Sequence, residues 1–264
     1  MTQTVADIHE RHLPLEGVHN FRDYGGYATA DGGRLRSGWL YRSGQHVGAT
    51  AADLERIAGL NLAAVIDMRS DREREVAPCA RPEGFGARVL FVGDREVEAA
   101  PHIAAADKVN DPDTAARRMV ESYAGMAFRP AFRKVINHYF TALAEADGPV
   151  LIHCMAGKDR TGMAVALLHR ALGVAREDWL ADYLLTNITG NVEARIAAGA
   201  VHVREAFGRE LDDATVRVLM TVRPEFIDSG LAAIDAQHGG VASYLASCGI
   251  DAALLSRVRE RLVV

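Results

Sequence analysis

A cysteine is followed six residues later by an arginine, in a segment whose order of residue types favours phosphate chemistry. Apolar residues 150–152 run into His153 and Cys154, and the segment continues through Gly157 to Arg160. This order predicts a strand that delivers the cysteine to a loop, and then a helix whose first amides point at one position. Gly157 allows the left-handed backbone that such a loop needs. The segment is therefore suited to binding a dianionic phosphate group.

Three side chains of this segment could take part in a displacement at phosphorus. A helix N-terminus and nearby cations favour the thiolate form of a cysteine, so we expect Cys154 to be a nucleophilic thiolate at neutral pH. Arg160 could hold two phosphoryl oxygens in its planar fork. Thr161 would place a hydroxyl near the sulfur, where it could stabilise the thiolate that departs in a second step. The expected phosphate-binding residues are Met155, Ala156, Gly157, Lys158, Asp159 and Arg160.

The leaving group of such a reaction needs a proton donor, and two aspartates are the main candidates. Asp159 lies inside the loop, although it could instead only pair with a basic side chain. Asp67 closes a predicted buried strand, where catalytic groups of α/β sheets often project, but a structural salt bridge with Arg69 or Arg160 is the favoured interpretation. Asp94, after the next strand, is a weaker third candidate.

Lys158 is a further loop residue whose side chain could contact the substrate. We expect its ammonium group to face the substrate and to contact the phosphate or a second anionic group, with a solvated surface lysine as the alternative. No metal and no cofactor are expected, because the cysteine, the arginine and an acid suffice for the chemistry.

The elements that must position these residues follow a mixed pattern, with alternating strands and helices first and helices alone afterwards. This order favours an α/β core with a helical C-terminal part. Residues 96–113 are predicted as a loop or short helices, and Gly59 is expected to end a helix in the left-handed conformation. Strands are predicted at 39–42, 62–68, 88–92 and 149–153, and helices at 50–58, 114–126, 130–146, 160–172, 176–186, 192–207, 213–221, 224–238 and 252–262.

The fuller string from His153 to Gly162 resembles the protein tyrosine phosphatase superfamily, and within it the bacterial PtpB/LipA-like tyrosine and lipid phosphatases. Further matching segments are residues 20–26, 41–44, 67–70 with Glu73 and Glu75 and, more weakly, 182–187. The resemblance implies a tyrosine phosphatase-like fold, with a central, mostly parallel sheet flanked by helices. It also implies that Asp159 faces the substrate.

The resemblance covers about residues 15–190, which we take as the catalytic core of a single phosphatase domain spanning 1–264. Residues from about 192 to 264 have no clear match. They are expected to form a helical extension, or a lid over the loop as the resemblance implies.

The leading hypothesis is a phosphatase that hydrolyses phosphotyrosine, and with dual specificity phosphoserine and phosphothreonine, through a cysteinyl-phosphate intermediate. A phosphoinositide phosphatase is an alternative. A binding module that keeps the loop without turnover is another, and a sulfurtransferase of the rhodanese type is disfavoured by the residues after Lys158. The expected partner is therefore a phosphorylated protein or a phosphoinositide.

The composition of the chain limits which partners and which cellular setting are expected. The chain has 264 residues, with 30 Lys and Arg against 35 Asp and Glu, which gives no support for nucleic-acid binding. Three cysteines do not build a disulfide scaffold, so a reduced, cytoplasmic setting is the expectation. The polar N-terminal residues lack the apolar stretch of a signal peptide, and no run is long enough to predict stable membrane insertion; export by another route stays open. Nothing in the sequence indicates an oligomeric state.

Overall fold

The computed structural model describes residues 11–93, 106, 109–197, 201 and 210–264. Its centre is a five-stranded sheet with the strand order β1-β2-β5-β3-β4. β1 runs antiparallel to β2, whereas the pairs β2–β5, β5–β3 and β3–β4 are parallel. The strands are β1 Arg22–Asp23, β2 Leu40–Ser43, β3 Ala64–Asp67, β4 Arg88–Leu90 and β5 Val150–His153.

The register of the sheet brings the ends of three strands together. His153, the last residue of β5, lies beside Ser43 of β2 on one side and Asp67 of β3 on the other. All four residues of β3 and of β5 are buried, as expected for parallel strands covered by helices on both faces. The residues that follow these three strands therefore meet at one edge of the sheet, where the loop after β5 begins.

Helices flank this sheet and make up most of the second half of the chain. Residues 192–197 are also helical. The helices are α1 Ala51–Ala58, α2 Asp71–Val76, α3 Pro112–Met126, α4 Pro130–Glu145, α5 Asp159–Ala171, α6 Arg176–Leu184, α7 Thr186–Thr189, α8 Asp213–Met220, α9 Pro224–His238, α10 Val241–Ser247 and α11 Ala252–Leu262.

The C-terminal helices pack onto the rest of the chain through a shared apolar core. α8 and α9 lie against α3, and α11 lies against α4. One buried cluster contains Ile152 of the central strand, Tyr123 of α3, Phe226 of α9 and Val258 of α11. Because these side chains are packed in one cluster, the loop after β5 and the C-terminal helices are held in a fixed relation.

Most predicted elements lie where the sequence places them. α9 and α11 begin and end at the predicted residues, and Thr50 and Asp53 form a capping box at the start of α1. The expected left-handed stop at Gly59 is wrong, since Gly59 has φ −61°. Helical hydrogen bonds continue as far as Asn61, and it is Asn61 that takes the positive φ of 49°. Most of residues 96–108 and of 198–209 lies outside the described part of the chain.

No single helix among the described residues is both long and apolar enough to cross a bilayer. α10 and α11, which are bent by 116° relative to each other, meet the criterion only as a pair, and only by length and composition.

Candidate active site

Cys154 begins the loop between β5 and α5 and is only 3% exposed. Three residues further on, Gly157 has φ +65°, a conformation that favours glycine. A Cβ at this position would lie 2.3 Å from the carbonyl oxygen of Ser43, so the loop passes directly over the end of β2. The loop then enters α5 at Asp159, which places the N-terminus of a 13-residue helix behind the cysteine.

The carbonyl groups of the loop are held by donors from neighbouring segments. Asn20 Nδ2 donates to Gly157 O at 2.8 Å, and Arg42 NH2 donates to the same oxygen at 2.9 Å. The amide of Gln45 donates to Met155 O at 2.9 Å. None of the amides of residues 155–157 donates a hydrogen bond to another described residue. The loop thus has its carbonyls fixed and its amides available for an anion.

Arg42 is itself held by a buried ionic triad behind the loop. Asp182 accepts from Arg22 Nε at 3.0 Å and from Arg42 NH1 at 2.6 Å, and all three side chains are at most 1% exposed. Burial alone would raise the pKa of Asp182, but the two guanidinium groups outweigh it and hold that pKa well below its usual range. Asp182 is therefore ionised, and it fixes the arginine that anchors Gly157.

Arg160, in the first turn of α5, is oriented by a carboxylate from α2. Its NH1 lies 2.8 Å from Glu73 Oε2 and 3.0 Å from Met68 O, and its NH2 lies 2.7 Å from Glu73 Oε1. Burial opposes ionisation, but the hydrogen bonds to Glu73 and the nearby negative charges raise the pKa of Arg160 further. Arg160 Nε and Thr161 Oγ1 are buried and have no hydrogen-bond partner among the described residues.

Asp159 lies at the same helix terminus, and its carboxylate is bound by Lys158 and Tyr123. Lys158 Nζ donates to Asp159 Oδ1 at 2.9 Å, and the Tyr123 hydroxyl donates to the same oxygen at 2.8 Å. The Tyr123 hydroxyl also lies 2.8 Å from that of Tyr183, and burial raises the pKa of both phenols well above the ordinary value. Both tyrosines are therefore neutral donors that help to position the carboxylate.

The side chain of Lys158 does not lie where the sequence places it. It is fully buried, and its Nζ donates to Leu219 O at 2.8 Å and approaches Thr221 O at 3.4 Å, in addition to its bond with Asp159. The end of α8 supplies carbonyls that lack helical partners and a favourable dipole for a cation. The expectation of an ammonium group facing the substrate, and its alternative of a solvated lysine, are therefore both wrong.

Asp67 is 2% exposed and is bound in the fork of Arg69, with Arg69 NH2 at 2.8 Å and Nε at 3.2 Å from Oδ2. Burial alone would raise the pKa of Asp67, but His153 and Arg69 outweigh it and hold that pKa well below its usual range. The pairing with Arg69 that the sequence leaves open is thus present. Asp94 lies outside the described residues.

Comparison with known proteins agrees with this geometry. The sequence profile of the tyrosine phosphatase family matches residues 13–264, which is nearly the whole chain. The chain belongs to the tyrosine phosphatase family.

Two relatives cover most of this phosphatase. A protein of Cupriavidus necator, whose name assigns it provisionally to the tyrosine-protein phosphatases, is 36% identical over 91% of this chain and 85% of its own length. The triple specificity protein phosphatase PtpB of Mycobacterium tuberculosis is 32% identical over 94% of this chain and 98% of its own. Among solved structures, TpbA of P. aeruginosa is 21% identical, covering 74% of this chain and 96% of its own with a TM-score of 0.31.

Membership of the family, together with the mostly parallel sheet, confirms the predicted tyrosine phosphatase-like fold. It also makes the chain a hydrolase of the protein-tyrosine-phosphatase type. The loop at Cys154, the helix at Asp159 and the arginine at position 160 lie within the matched residues.

One group of side chains in the described part of the phosphatase has the composition of a metal site. Ligand atoms of Asp67, Cys79 and His153 lie within 4.8 Å of one another. Both oxygens of Asp67 already accept hydrogen bonds from Arg69, however, and the positive guanidinium would oppose a cation at the same place. This cluster therefore does not fit a metal ion.

Sequence reasoning left three residues of the site without a role. Glu73 forms a capping box with Ser70 at the start of α2, and that Ser-x-x-Glu pattern is readable in the sequence as a helix start. Its bond to Arg160 is not readable, because 87 residues separate the two. Tyr123 of α3 and Asp182 of α6 are likewise brought to the loop only by the fold.

Proposed function

We propose that this phosphatase hydrolyses phosphotyrosine in proteins through a cysteinyl-phosphate intermediate on Cys154. The observation that carries the proposal is the loop itself, in which the cysteine starts a turn with fixed carbonyls and available amides. Arg160 is held beside it by Glu73, with a buried Nε that has no partner among the described residues. A dianionic phosphoryl group would satisfy these donors.

In the first step, the thiolate of Cys154 attacks phosphorus in line with the leaving oxygen. The sulfur–phosphorus bond forms as the bond from phosphorus to the leaving oxygen breaks, and Asp159 gives its proton to that oxygen. In the second step a water oxygen attacks phosphorus and the sulfur–phosphorus bond breaks. The Asp159 carboxylate takes the water proton, inorganic phosphate is released, and the Thr161 hydroxyl stabilises the departing thiolate.

Asp159 is preferred to Asp67 as the acid because of their surroundings. Asp67 is locked into the fork of Arg69 and keeps its negative charge at any pH at which the enzyme would work. Asp159 is held at the helix terminus that carries Arg160, by a tyrosine hydroxyl and by Lys158. Because Asp159 must carry a proton in order to donate one, we expect turnover of poor leaving groups to increase toward mildly acidic pH.

The range of substrates is inferred from one relative and from the position of Lys158. A relative with 32% identity is named a triple specificity protein phosphatase, which supports more than one class of substrate for the same loop. A contact between Lys158 and a second anionic group would support the phosphoinositide alternative. Because that ammonium group is buried against Leu219 and Asp159, it gives the alternative no support.

The decisive experiment substitutes Cys154→Ser and measures phosphate release from an aryl phosphate at mildly acidic pH. We expect turnover to vanish, with a phosphorylated cysteine trapped in the wild-type protein by rapid acid quench. Unchanged turnover of the serine variant would refute the proposal. Tight phosphopeptide binding without any phosphate release by the wild type would show a silent binding module, and thiocyanate formation from cyanide a sulfurtransferase.

A second comparison separates the two acids. Asp159→Asn should reduce kcat on an alkyl phosphate far more than on p-nitrophenyl phosphate, whose leaving group needs no proton. Asp67→Asn should change kcat on both substrates by the same factor, because it weakens the ion pair with Arg69 and does not alter proton transfer. If Asp159→Asn also lowered both rates equally, Asp159 would not be the acid.

A further inference from the structure

One buried guanidinium close to the loop has no hydrogen-bond partner in the part of the chain that the structure describes. Arg195 lies in the helical segment 192–197, and its Nε, NH1 and NH2 are all shielded from solvent without a hydrogen-bond partner among the described residues. Five donor hydrogens are thus left unused in a place that water does not reach. An uncompensated buried charge of this kind is strongly destabilising, so we expect something else to supply the counter-charge.

The neighbours of Arg195 place it at the rim of the loop. A Cβ added to Gly190 would come within 2.9 Å of Arg195 NH2, so the guanidinium lies directly against the end of α7. The preceding residue, Thr189, accepts a hydrogen bond from the amide of Asn20 at 2.9 Å. Asn20 in turn donates through Nδ2 to Gly157 O. Three consecutive contacts therefore connect Arg195 to the loop.

The ionisable groups that interact electrostatically with Arg195 belong to the candidate active site. Burial lowers the pKa of Arg195, and the electrostatic interactions that oppose this shift are those with Asp159 and Cys154. Arg195 in turn lowers the pKa of Lys158, after the larger effect of burial. The guanidinium is thus within electrostatic reach of both the nucleophile and the acid.

The other deeply buried cations of the described chain are all neutralised by carboxylates. Each such pair involves an Asp or Glu within 3.0 Å, and Asp182 serves two arginines. The neutralised side chains are Arg22, Arg42, Arg69, Lys158 and Arg160. Since Glu73 already balances the charge of Arg160, a dianionic phosphoryl group next to a thiolate would lack a cation of its own. Arg195 can supply that cation, because its guanidinium has no carboxylate partner among the described residues.

We propose that Arg195 is a second phosphoryl-binding arginine, which reaches from the segment after α7 to the phosphate group held by the loop at Cys154. The inference rests on the proposed function, because it assigns the ligand of that same site. It adds a residue outside the loop, about 35 positions beyond Arg160, whose charge is available to balance the substrate.

The test compares Arg195→Gln with a matched control. Arg217 lies nearby and forms an exposed ion pair with Glu193, two residues before Arg195, at 2.8 and 3.0 Å. Arg217→Gln therefore removes the same charge from the same region without touching the loop. With inorganic phosphate as competitive inhibitor of p-nitrophenyl phosphate hydrolysis, we expect Arg195→Gln to raise Ki by about 10-fold or more, which corresponds to at least 1.4 kcal/mol. Arg217→Gln should leave Ki unchanged, and Arg195→Lys should lie between the two.

The stability of Arg195→Gln distinguishes a substrate-binding arginine from one that only packs against its neighbours. Removing an unpaired buried charge should leave the urea midpoint of Arg195→Gln equal to that of the wild type or higher, whereas loss of a packing residue would lower it. A wild-type Ki in Arg195→Gln overturns the inference. It is also overturned if the variant affects only substrates that carry a second phosphate, since the guanidinium would then bind that distant group.

A final experiment tests phosphate binding by Arg195 independently of the proposed reaction at Cys154. Phosphate binding to Cys154→Ser and to Cys154→Ser/Arg195→Gln is measured by calorimetry, which needs no turnover. Weaker binding in the double variant supports the inference even if the serine variant proves active and the cysteinyl mechanism fails. Equal binding overturns the inference and leaves the mechanism intact.

Discussion

Glu73 holds the guanidinium of Arg160 in a two-pronged ion pair, with nitrogen–oxygen distances of 2.8 and 2.7 Å. The same carboxylate accepts a hydrogen bond from the amide of Ser70 at 2.7 Å, as part of the capping box that starts α2. One glutamate thus links a helix cap to the arginine of the phosphate loop. Arg160 belongs to α5 and Glu73 to α2. The orientation of the Arg160 side chain therefore depends on this contact between the two helices.

Replacing Glu73 with Gln should reduce catalysis more than stability. The variant keeps the shape of the side chain but loses a charge-assisted pair worth about 1.5–3 kcal/mol, so we expect kcat/KM for an aryl phosphate to fall about 10- to 100-fold. Ser70→Ala is the control, because it weakens the cap at a cost of about 1 kcal/mol in stability and leaves the pair with Arg160 in place. Equal losses of kcat/KM in the two variants would contradict a role for Glu73 in orienting Arg160.

Replacing Asp182 with Asn should destabilise the whole protein. Arg22 and Arg42 would be left buried without a counter-charge, and breaking a buried pair in this way costs about 3–5 kcal/mol. The free energy of unfolding, measured with urea, gives the direct check. Asp235→Asn breaks the more exposed pair with Arg170 at 3.0 Å and should cost less than about 1 kcal/mol. A stability for Asp182→Asn close to that of Asp235→Asn would refute the structural role of the triad.

The fold was largely predictable because its main elements carry local signals. The capping box at Thr50 and Asp53, the buried run of β3 and the prolines that start α4 and α9 all act within a few residues. β1, α2, α7 and α10 are not among the predicted elements. β1 is two residues long and exists only by pairing with β2, whereas α10 has no side-chain cap to mark its start.

The site was predictable where residues are close in the sequence and not where the fold brings them together. Cys154, Gly157 and Arg160 lie within one loop and its helix, so their spacing alone suggests their arrangement. The position of Lys158 depends on carbonyls at 219 and 221, more than 60 residues away. No local pattern contains that information, and a substrate-facing lysine was therefore the wrong expectation.

Replacing Gly157 with Ala should damage the loop by direct collision. The new Cβ would lie 2.3 Å from Ser43 O and 2.4 Å from Ser43 C, both backbone atoms that cannot move aside cheaply. Gly84 is the control, because it has nearly the same φ of +67° but open space around the added atom. We expect Gly84→Ala to lose at most about 2 kcal/mol of stability and no activity, whereas Gly157→Ala should lose phosphate binding as well. Wild-type Ki for phosphate in Gly157→Ala would contradict the proposed geometry of the loop.

The stability of the protein should fall between pH 7 and pH 5 because of buried neutral histidines. Burial lowers the pKa of both His153 and His169 from 6.5 to about 4. The unfolded chain therefore binds more protons than the native state in this window, so the stabilisation is complete above pH 6.5 and is lost as the pH falls toward 4. For each histidine we expect the free energy of unfolding to decrease by about 2 kcal/mol between pH 7 and 5. His169→Gln should remove the contribution of His169 to the pH dependence of the free energy of unfolding, since glutamine does not titrate and can still donate to Tyr24 O. Parallel stability curves for the variant and the wild type would show that His169 is not kept neutral by burial.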